Sequence, residues 1–470
     1  MWAPKINFMN QEPKQYTPLE ITTETEGLDT QSMLINMGPA HPAMHGVIRL
    51  VLKLDGERVV DAETEIGYLH RAFEKMAEQG NYLQVIPYTD RLNYVSPLIN
   101  NFGYTACVEK LLGLQCTERA NYIRVIMSEI SRVTDHLTCI GASAMELGSF
   151  TAFLYLMKAR EYLYELIEDV TGARLTISYA RMGGVKADLP DGFKAKTLKA
   201  IKEVRAVLKE CNNLLTRNRI FVDRLDGVGI ISKEDALAYG ITGPFLRSTG
   251  IDYDVRKAQP YFVYDKIQFD IPVGQDGDNY DRYLVRMEEM EQSMRIVEQA
   301  LAQMKEGPIR VSPETGKVIP GAEMVDKAKM GHTEGLLEVR AAVDPTLDGT
   351  SKEDQKRIFP QTPEEKRVAL PPKEDTYGNI EGLMNHFKLI MIGQGMTVPA
   401  SEAYFPVEGG NGELGFYVVS DGTDRPYRVR VRPPCLPPMA VLHQIIKGGM
   451  VADIIATFGS VNMIAGELDR

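Results

Sequence analysis

Two histidines four residues apart, His41 and His45, lie in Gly38-Pro39-Ala40-His41-Pro42-Ala43-Met44-His45-Gly46, and a strand pattern follows from Val47. Gly and Pro deny this stretch a regular helix, so it reads as a shaped loop at the mouth of a sheet. An imidazole on a rigid loop suits proton transfer, because an ordinary histidine titrates at about 6.5. Two plainer readings stand beside that one: the rings satisfy loop backbone groups, or they form a His-x-x-x-His metal pair. The metalloprotease version of that pair wants Glu after the first His, where this chain has Pro42. A second stretch, Pro87-Tyr88-Thr89-Asp90-Arg91-Leu92-Asn93-Tyr94-Val95-Ser96, adds phenols, a carboxyl and an arginine. A third, Ala144-Met145-Glu146-Leu147-Gly148, sets a carboxylate inside an otherwise apolar helix. Burying a charge is costly unless it is paired, so Glu146 needs a partner, and a helix arginine is the plain structural choice.

Other chemistries find no support. Cys107, Cys116, Cys139, Cys211 and Cys435 are scattered with no C-x-x-C, which argues against a zinc ribbon, an iron–sulfur cluster or a dithiol centre in this chain. Gly410-Asn411-Gly412-Glu413-Leu414-Gly415 matches G-x-G-x-x-G but lies between two strand patterns and opens no helix. No helix N-terminus is then offered to a pyrophosphate, and the motif reads as a hairpin loop. The formal net charge of −11 argues against a nucleic-acid footprint. The first residues show no apolar signal core, and an odd cysteine count fits a reducing compartment. Leu137–Met157 is the stretch nearest to a membrane span, but it carries Glu146 and reads as a buried helix.

The elements that must hold these residues follow from pattern. With 470 residues, 44% of them hydrophobic, the chain can bury a large core in one elaborate domain or in several lobes. Residues 1–30 read as a polar N-terminal arm, and 31–70 as a β region with a hairpin of Val47–Leu54 and Arg58–Thr64 about Asp55-Gly56. Helical periodicity over 71–310 predicts a bundle, with helices over Glu118–Gly141, Ala144–Thr171 and Phe193–Arg219. Another starts at an Asp278 cap and ends at Gly307-Pro308, with Tyr283, Met287, Met290, Met294, Val297, Leu301 and Met304 on one seam. A methionine stripe of this kind is packing before it is a cofactor box. Residues 311–375 read as an exposed insertion, and 376–470 as a C-terminal α+β lobe. That lobe has helices near Ile380–Ile392 and Met439–Ile455 and strands near Ala403–Val407, Gly415–Ser420 and Tyr427–Arg432. Arg428, Arg430 and Arg432 alternate along the last strand and predict a salt-bridged face toward a neighbouring chain.

From about Met33 to Arg470, apart from the insertion, collinear motifs resemble a known family: "GPAHPAMHGVIRLVL", "EIGYLHRAFEK", "PYTDRLNYVSP", "GPFLRSTGIDYDVRK", "FDIPVG", "DRYLVRMEEM", "GELGFYVVSDGTDRPYRVRVRPP" and "AGELDR". They look like the D subunits of proton-pumping NADH:quinone oxidoreductase, respiratory complex I. The resemblance implies an α+β fold like the large subunit of nickel–iron hydrogenases, with an antiparallel N-terminal β region, a central bundle of long helices and a mixed C-terminal lobe. It also implies that the metal is lost: the hydrogenase R-x-C-x-x-C motif falls on Arg91–Ser96, where Asn93 and Ser96 stand for the cysteines. In the family the vacated space is the inner end of a quinone cavity shared with the iron–sulfur B subunit. By that resemblance His45 and Tyr94 contact the quinone headgroup, with His41 in the same loop, and Glu146 matches the residue that orients the histidine. An imidazole and a phenol can each hydrogen-bond a quinone oxygen and release a proton.

The family usually has Asp where this chain has Glu146, and many relatives have His where it has Thr176. Arg71 and Thr176 match positions close to the terminal cluster. Electrons then come from iron–sulfur clusters and FMN on partner subunits, and this chain binds no cofactor of its own, with quinone as substrate. The implied partners are the B and C subunits, other cytoplasmic-arm subunits and the membrane H subunit, with no nucleic acid. The implied place is the cytoplasmic face of the cell membrane, peripheral and without a span. Three alternatives remain: a related complex fed by ferredoxin or deazaflavin, a scaffold component without chemistry, and an active hydrogenase, which the missing cysteine pairs oppose.

Overall fold

The computed structural model describes residues 32–309, 373–378, 380–390 and 396–470. Alternation along Arg49-Leu50-Val51-Leu52-Lys53-Leu54 puts three leucines on one buried face, as the period of a strand requires. This strand, β2 (Arg49–Asp55), pairs antiparallel with β3 (Arg58–Glu65) through the turn at Gly56. On its other side it pairs with β1 (Ser32–Met37). The sequence did not announce β1, because Met33, Leu34 and Ile35 are all exposed on this edge strand and give no alternation. The expected N-terminal arm, and the expected insertion up to residue 372, lie outside the described residues.

Short helices α1 (Phe73–Gln79) and α2 (Ile86–Thr89) lead into α3 (Pro97–Leu112) and then α4 (Glu118–Glu146) and α5 (Phe150–Thr171). The expected break near Gly141 is not there. A Cβ on Gly141 would come within 3.2–3.6 Å of Met157, Phe153 and Leu156, so this glycine lets α5 approach α4 instead of stopping it. The chain turns at Gly148, at φ +91°, which makes Glu146 the last residue of α4 and not the interior of a second helix. Leu137–Met157 is therefore divided between two helices, and no helix among the described residues is long and apolar enough to cross a membrane. A two-stranded ribbon, β4 (Ala180–Arg181) and β5 (Gly184–Val185), precedes α6 (Phe193–Leu215), which ends earlier than expected. Four short helices follow: α7 (Arg219–Leu225), α8 (Lys233–Ala238), α9 (Gly243–Arg247) and α10 (Val255–Ala258). The Asp278 side chain caps α11 (Asn279–Gln303) by accepting from the Asp281 N–H. Its seam is core, with Tyr283, Met290, Met294, Val297 and Leu301 buried against α4 and its neighbours.

The C-terminal part brings α12 (Lys373–Gly378), α13 (Ile380–Ile390) and an antiparallel sheet of β6 (Ser401–Glu408), β7 (Glu413–Ser420) and β8 (Pro426–Arg432). The G-x-G-x-x-G stretch is the β6–β7 hairpin, closed by Glu408 opposite Glu413. Gly412, at φ +131°, would put a Cβ 2.6 Å from the Thr242 hydroxyl, and Gly243 faces it, so the glycines serve backbone approach. The single helix expected over Met439–Ile455 is two, α14 (Leu436–Ile446) and α15 (Val451–Val461), separated at Gly448 (φ +83°), with a short α16 (Ala465–Asp469) behind them. The basic face of β8 is salt-bridged, as its alternation predicts, and the ion pairs are made within this chain. Its partners lie in this chain: Arg428 pairs with Glu78 and Glu74, Arg430 with Glu74, and Arg432 donates to the Glu413 and Gly240 carbonyls.

A charge cluster joins the bundle to this sheet. Arg132, Arg247 and Arg256 meet Glu129, Asp254, Glu289 and Glu408, all at most 1% exposed. His136 Nε2 adds a contact to Glu289 at 2.9 Å. Burial pushes the Glu289 carboxyl up, but Arg247 and His136 outweigh it and hold the group well below the ordinary range. Burial and the neighbouring Asp254 push Glu408 up instead.

Candidate functional site

Backbone constraint shapes the first loop. A Cβ on Gly38, at φ +94°, would collide with the Ile48 carbonyl, so only glycine fits. His41 caps a 3-10 turn over Pro42–Met44, its Nδ1 accepting from the Ala43 N–H at 3.2 Å, which is the plain structural use of an imidazole. Met44 is fully buried and anchors the loop, and Gly46 lies against Ala465 and Met463. His45 takes a left-handed conformation, φ +45°, and its ring turns to the end of α4. There Nε2 comes within 2.8 Å of Glu146 Oε1, and the ring meets Phe458 edge-on at 6.3 Å. The carboxylate is close but out of line, because Nε2 and Glu146 Oε2 are buried and neither has an aligned hydrogen-bond partner. The partner of Glu146 is thus His45 and no helix arginine.

The second loop follows α2. Asp90 is fully buried and fixes it, accepting from the Asn101 amide and from the N–H and hydroxyl of Ser178 at 2.6–2.9 Å. Asn93 and Ser96 turn inward, and both donate to Asp135 Oδ2 at 2.9 Å. Tyr94, between them, turns outward and is 37% exposed. Burial pushes its phenol up, with the Cys435 thiol and the Asp135 carboxyl adding to the effect and Arg71 opposing it. The two loops belong together: Met44 and Val95, next to His45 and Tyr94, lie in one buried cluster with Met463 and Ile464.

Arg71 donates to the carbonyls of Arg91 and Gly466, tying the second loop to α16. Thr176 is exposed, at φ +53°, a rare conformation for a β-branched residue. Its hydroxyl bonds the carbonyl of Leu175 next to it. Ser178, two residues on, links this segment to Asp90.

Sequence reasoning missed the inner layer. Asp135 takes a third bond from the Asn462 side-chain amide, which also donates to Asn411 Oδ1, and Asn411 Nδ2 reaches the Cys435 sulfur. The Cys435 N–H donates to Glu467 Oε1 at 3.1 Å. The one available signal was a polar residue, Asp135, at a buried position of a long helix, and Glu467 stood inside "AGELDR" without an assigned role.

Known proteins match this chain in sequence over nearly its full length. A family model described as "Respiratory-chain NADH dehydrogenase, 49 Kd subunit" matches residues 146–343 and 351–470. The D subunit of the NADH-quinone oxidoreductase of Myxococcus xanthus is 48% identical over 443 residues, which are 94% of either chain. The chain belongs to this family. One of the D subunits of Sorangium cellulosum is 48% identical over 456 residues, 96% of this chain and all of that one. In Bdellovibrio bacteriovorus the similar protein is a C/D subunit by name, 45% identical over 443 residues that make up 70% of its length. The α+β class with antiparallel sheets is that of the family, which is related to the hydrogenase large subunit. Chemically, the site offers an imidazole backed by a carboxylate and a half-exposed phenol, two groups able to give protons to an acceptor with two oxygens.

Proposed function

We propose that this chain forms the quinone-reduction site of a proton-translocating NADH:quinone oxidoreductase, with His45 and Tyr94 bracketing the headgroup. The observation that carries it is the His45–Glu146 pair, with Tyr94 on a loop packed into the same core cluster. Reduction to a quinol takes two electrons and two protons, one per oxygen. Tyr94 gives its hydroxyl proton to one oxygen and His45 its ring proton to the other, while Glu146 orients and stabilises the imidazolium. No redox group is among these side chains, so the electrons enter from an iron–sulfur cluster on a B-type partner. Asn93 and Ser96, at the positions that match the hydrogenase cysteines, are both engaged as donors to Asp135 Oδ2. His41 then shapes the loop, and Arg71 and Thr176 face the cluster.

The proposed setting is peripheral, on the cytoplasmic side of the cell membrane, beside C and H subunits. The fused C/D relative supports a C partner. Tyr94→Phe tests the function. Losing a hydroxyl bond to substrate costs about 1–3 kcal/mol, so quinone reduction falls about 5- to 150-fold while electron transfer to ferricyanide survives. Unchanged quinone kinetics in fully assembled enzyme would remove Tyr94 from the site.

A further inference from the structure

We propose that Asp135 is a positioning residue for Tyr94, holding the phenol's loop against the same face of α4 that meets His45 through Glu146. This rests on the quinone-site function above and adds the device that sets the two groups in register. The Tyr94 hydroxyl has no hydrogen-bond partner among the described residues, so the segment that carries it sets its place. Asp135 holds that segment from both sides. Its Oδ2 accepts from Asn93 Nδ2 and from Ser96 Oγ, each at 2.9 Å. Asn93 Oδ1 in turn accepts from the N–H groups of Val95 and Ser96 at 3.2 and 3.3 Å, which closes the loop about Tyr94. Asn100 Nδ2 ties the Asn93 carbonyl to α3 at 2.9 Å.

The carboxylate is fully buried, and its Oδ1 takes a third bond from Asn462 Nδ2 at 2.9 Å. A carboxylate accepts on both oxygens and donates on neither, so no neutral side chain of its size satisfies all three donors. A Cβ on Gly410 would collide with it, so the β6–β7 hairpin closes over the group and keeps it from turning away. Asp135 and Glu146 are eleven residues apart in α4, about three turns, and so leave the helix on one face. α15 meets both along that face. Its Gly459 lies against Ser143 and Glu146, where a Cβ would come within 3.0–3.3 Å, and Asn462 beyond its end reaches Asp135.

One helix therefore carries both settings. Glu146 meets the imidazole, and Asp135, through Asn93 and Ser96, places the phenol, so the gap between the two proton donors is a property of α4. Asp135 touches neither the quinone nor the transferred protons. It acts only through Tyr94, and its effect on turnover disappears when the Tyr94 hydroxyl is absent.

The test is a double-mutant cycle in the assembled enzyme: Asp135→Ala, Tyr94→Phe and the two together. Each is read as NADH-driven reduction of a short-chain quinone, with ferricyanide reduction as control. Asp135→Ala removes the acceptors and releases both loop donors. In the parent, kcat/KM for the quinone falls about tenfold or more, since a small misplacement of a reacting group is costly. In the Tyr94→Phe background the same change costs about twofold or less, and ferricyanide reduction does not change in either. A structural role would lower quinone turnover by the same factor in both backgrounds. That result, or unchanged quinone kinetics in Asp135→Ala, would overturn the proposal. Should Asp135→Ala fail to assemble, Ser96→Ala decides. It removes one of the two loop donors, lowers kcat/KM about two- to tenfold in the parent, and adds nothing to Tyr94→Phe. An equal factor in both backgrounds, or no loss in the parent, would again overturn it. If Tyr94→Phe is impaired and the cycle is additive, only this inference fails; if Tyr94→Phe is unimpaired, the quinone-site function fails with it.

Discussion

Glu146 closes on His45 at 2.8 Å, yet its second oxygen is buried and unpartnered. His45 Nε2 is likewise buried without an aligned partner, so the pair has the distance of a hydrogen bond without its alignment. Glu146→Gln keeps the size and removes the charge, so quinone turnover should drop about tenfold or more with assembly intact. Glu146→Asp shortens the reach by one methylene but keeps the charge, so it should retain more activity than Gln. Turnover and assembled complex content, measured on both variants, check this. Full turnover in the Gln enzyme would take Glu146 out of the proton path. His41 makes the opposite case: its ring caps a turn, so His41→Asn, which can cap in the same way, should leave quinone kinetics nearly unchanged.

At the scale of elements, α4, α9, α10, α11 and β6 are bolted by buried charges more than 100 residues apart in sequence, such as Arg247 with Glu408 and Arg256 with Glu129. Glu289→Ala leaves Arg247, Arg256 and His136 short of a carboxylate and should destabilise the chain by about 3–5 kcal/mol. A melting midpoint within a degree of the parent would refute that. Little of this cluster could be read in advance. Helix periodicity identified α11 and its methionine seam because the period is local, and strand alternation identified β2, β3 and the C-terminal sheet for the same reason. Ion pairs between distant segments have no local period, so the contacts of Arg428 and Arg430 to Glu74 and Glu78 of α1 could not be read in advance. Of the candidate site, the His45–Glu146 pairing and the place of Tyr94 on the second loop were read from their motifs. Asp135, Cys435 and Glu467 were not, since only the folded chain brings residues of α4, α14 and α16 onto one network.

For the whole molecule, burial of Glu467 ties stability to pH. Its folded value, about 7, exceeds that of an unfolded glutamate, so the folded state binds the proton more tightly. Its stabilising effect is full below about pH 4.5, declines as pH rises, and is gone above about 7, a loss on the order of 3 kcal/mol. Thermal unfolding between pH 4.5 and 8 should show this decline, and Glu467→Gln should flatten it. Thr176 sets a second expectation. A hydroxyl exchanges no proton in this range, so the potential of the proposed neighbouring cluster should be nearly independent of pH through this position, and Thr176→His should introduce a slope. Redox titration at several pH values decides, and a full one-proton slope in the parent would assign the coupling to another group. Finally, the N–H groups of Gly67 and Leu69 are held by the Asp469 carboxylate, those of Arg71 and Phe73 by the Arg470 carbonyl, and Gly46 rests on Ala465. The partners of the histidine loop and its sheet thus leave the ribosome some 400 residues after them. At 5–20 residues per second the first loop waits roughly 20–80 s for the last helix. During that interval the histidine loop lacks the Met463 and Ala465 contacts that its fold uses, so a nascent chain arrested before residue 463 should be held by chaperones more than one that has emerged through residue 470.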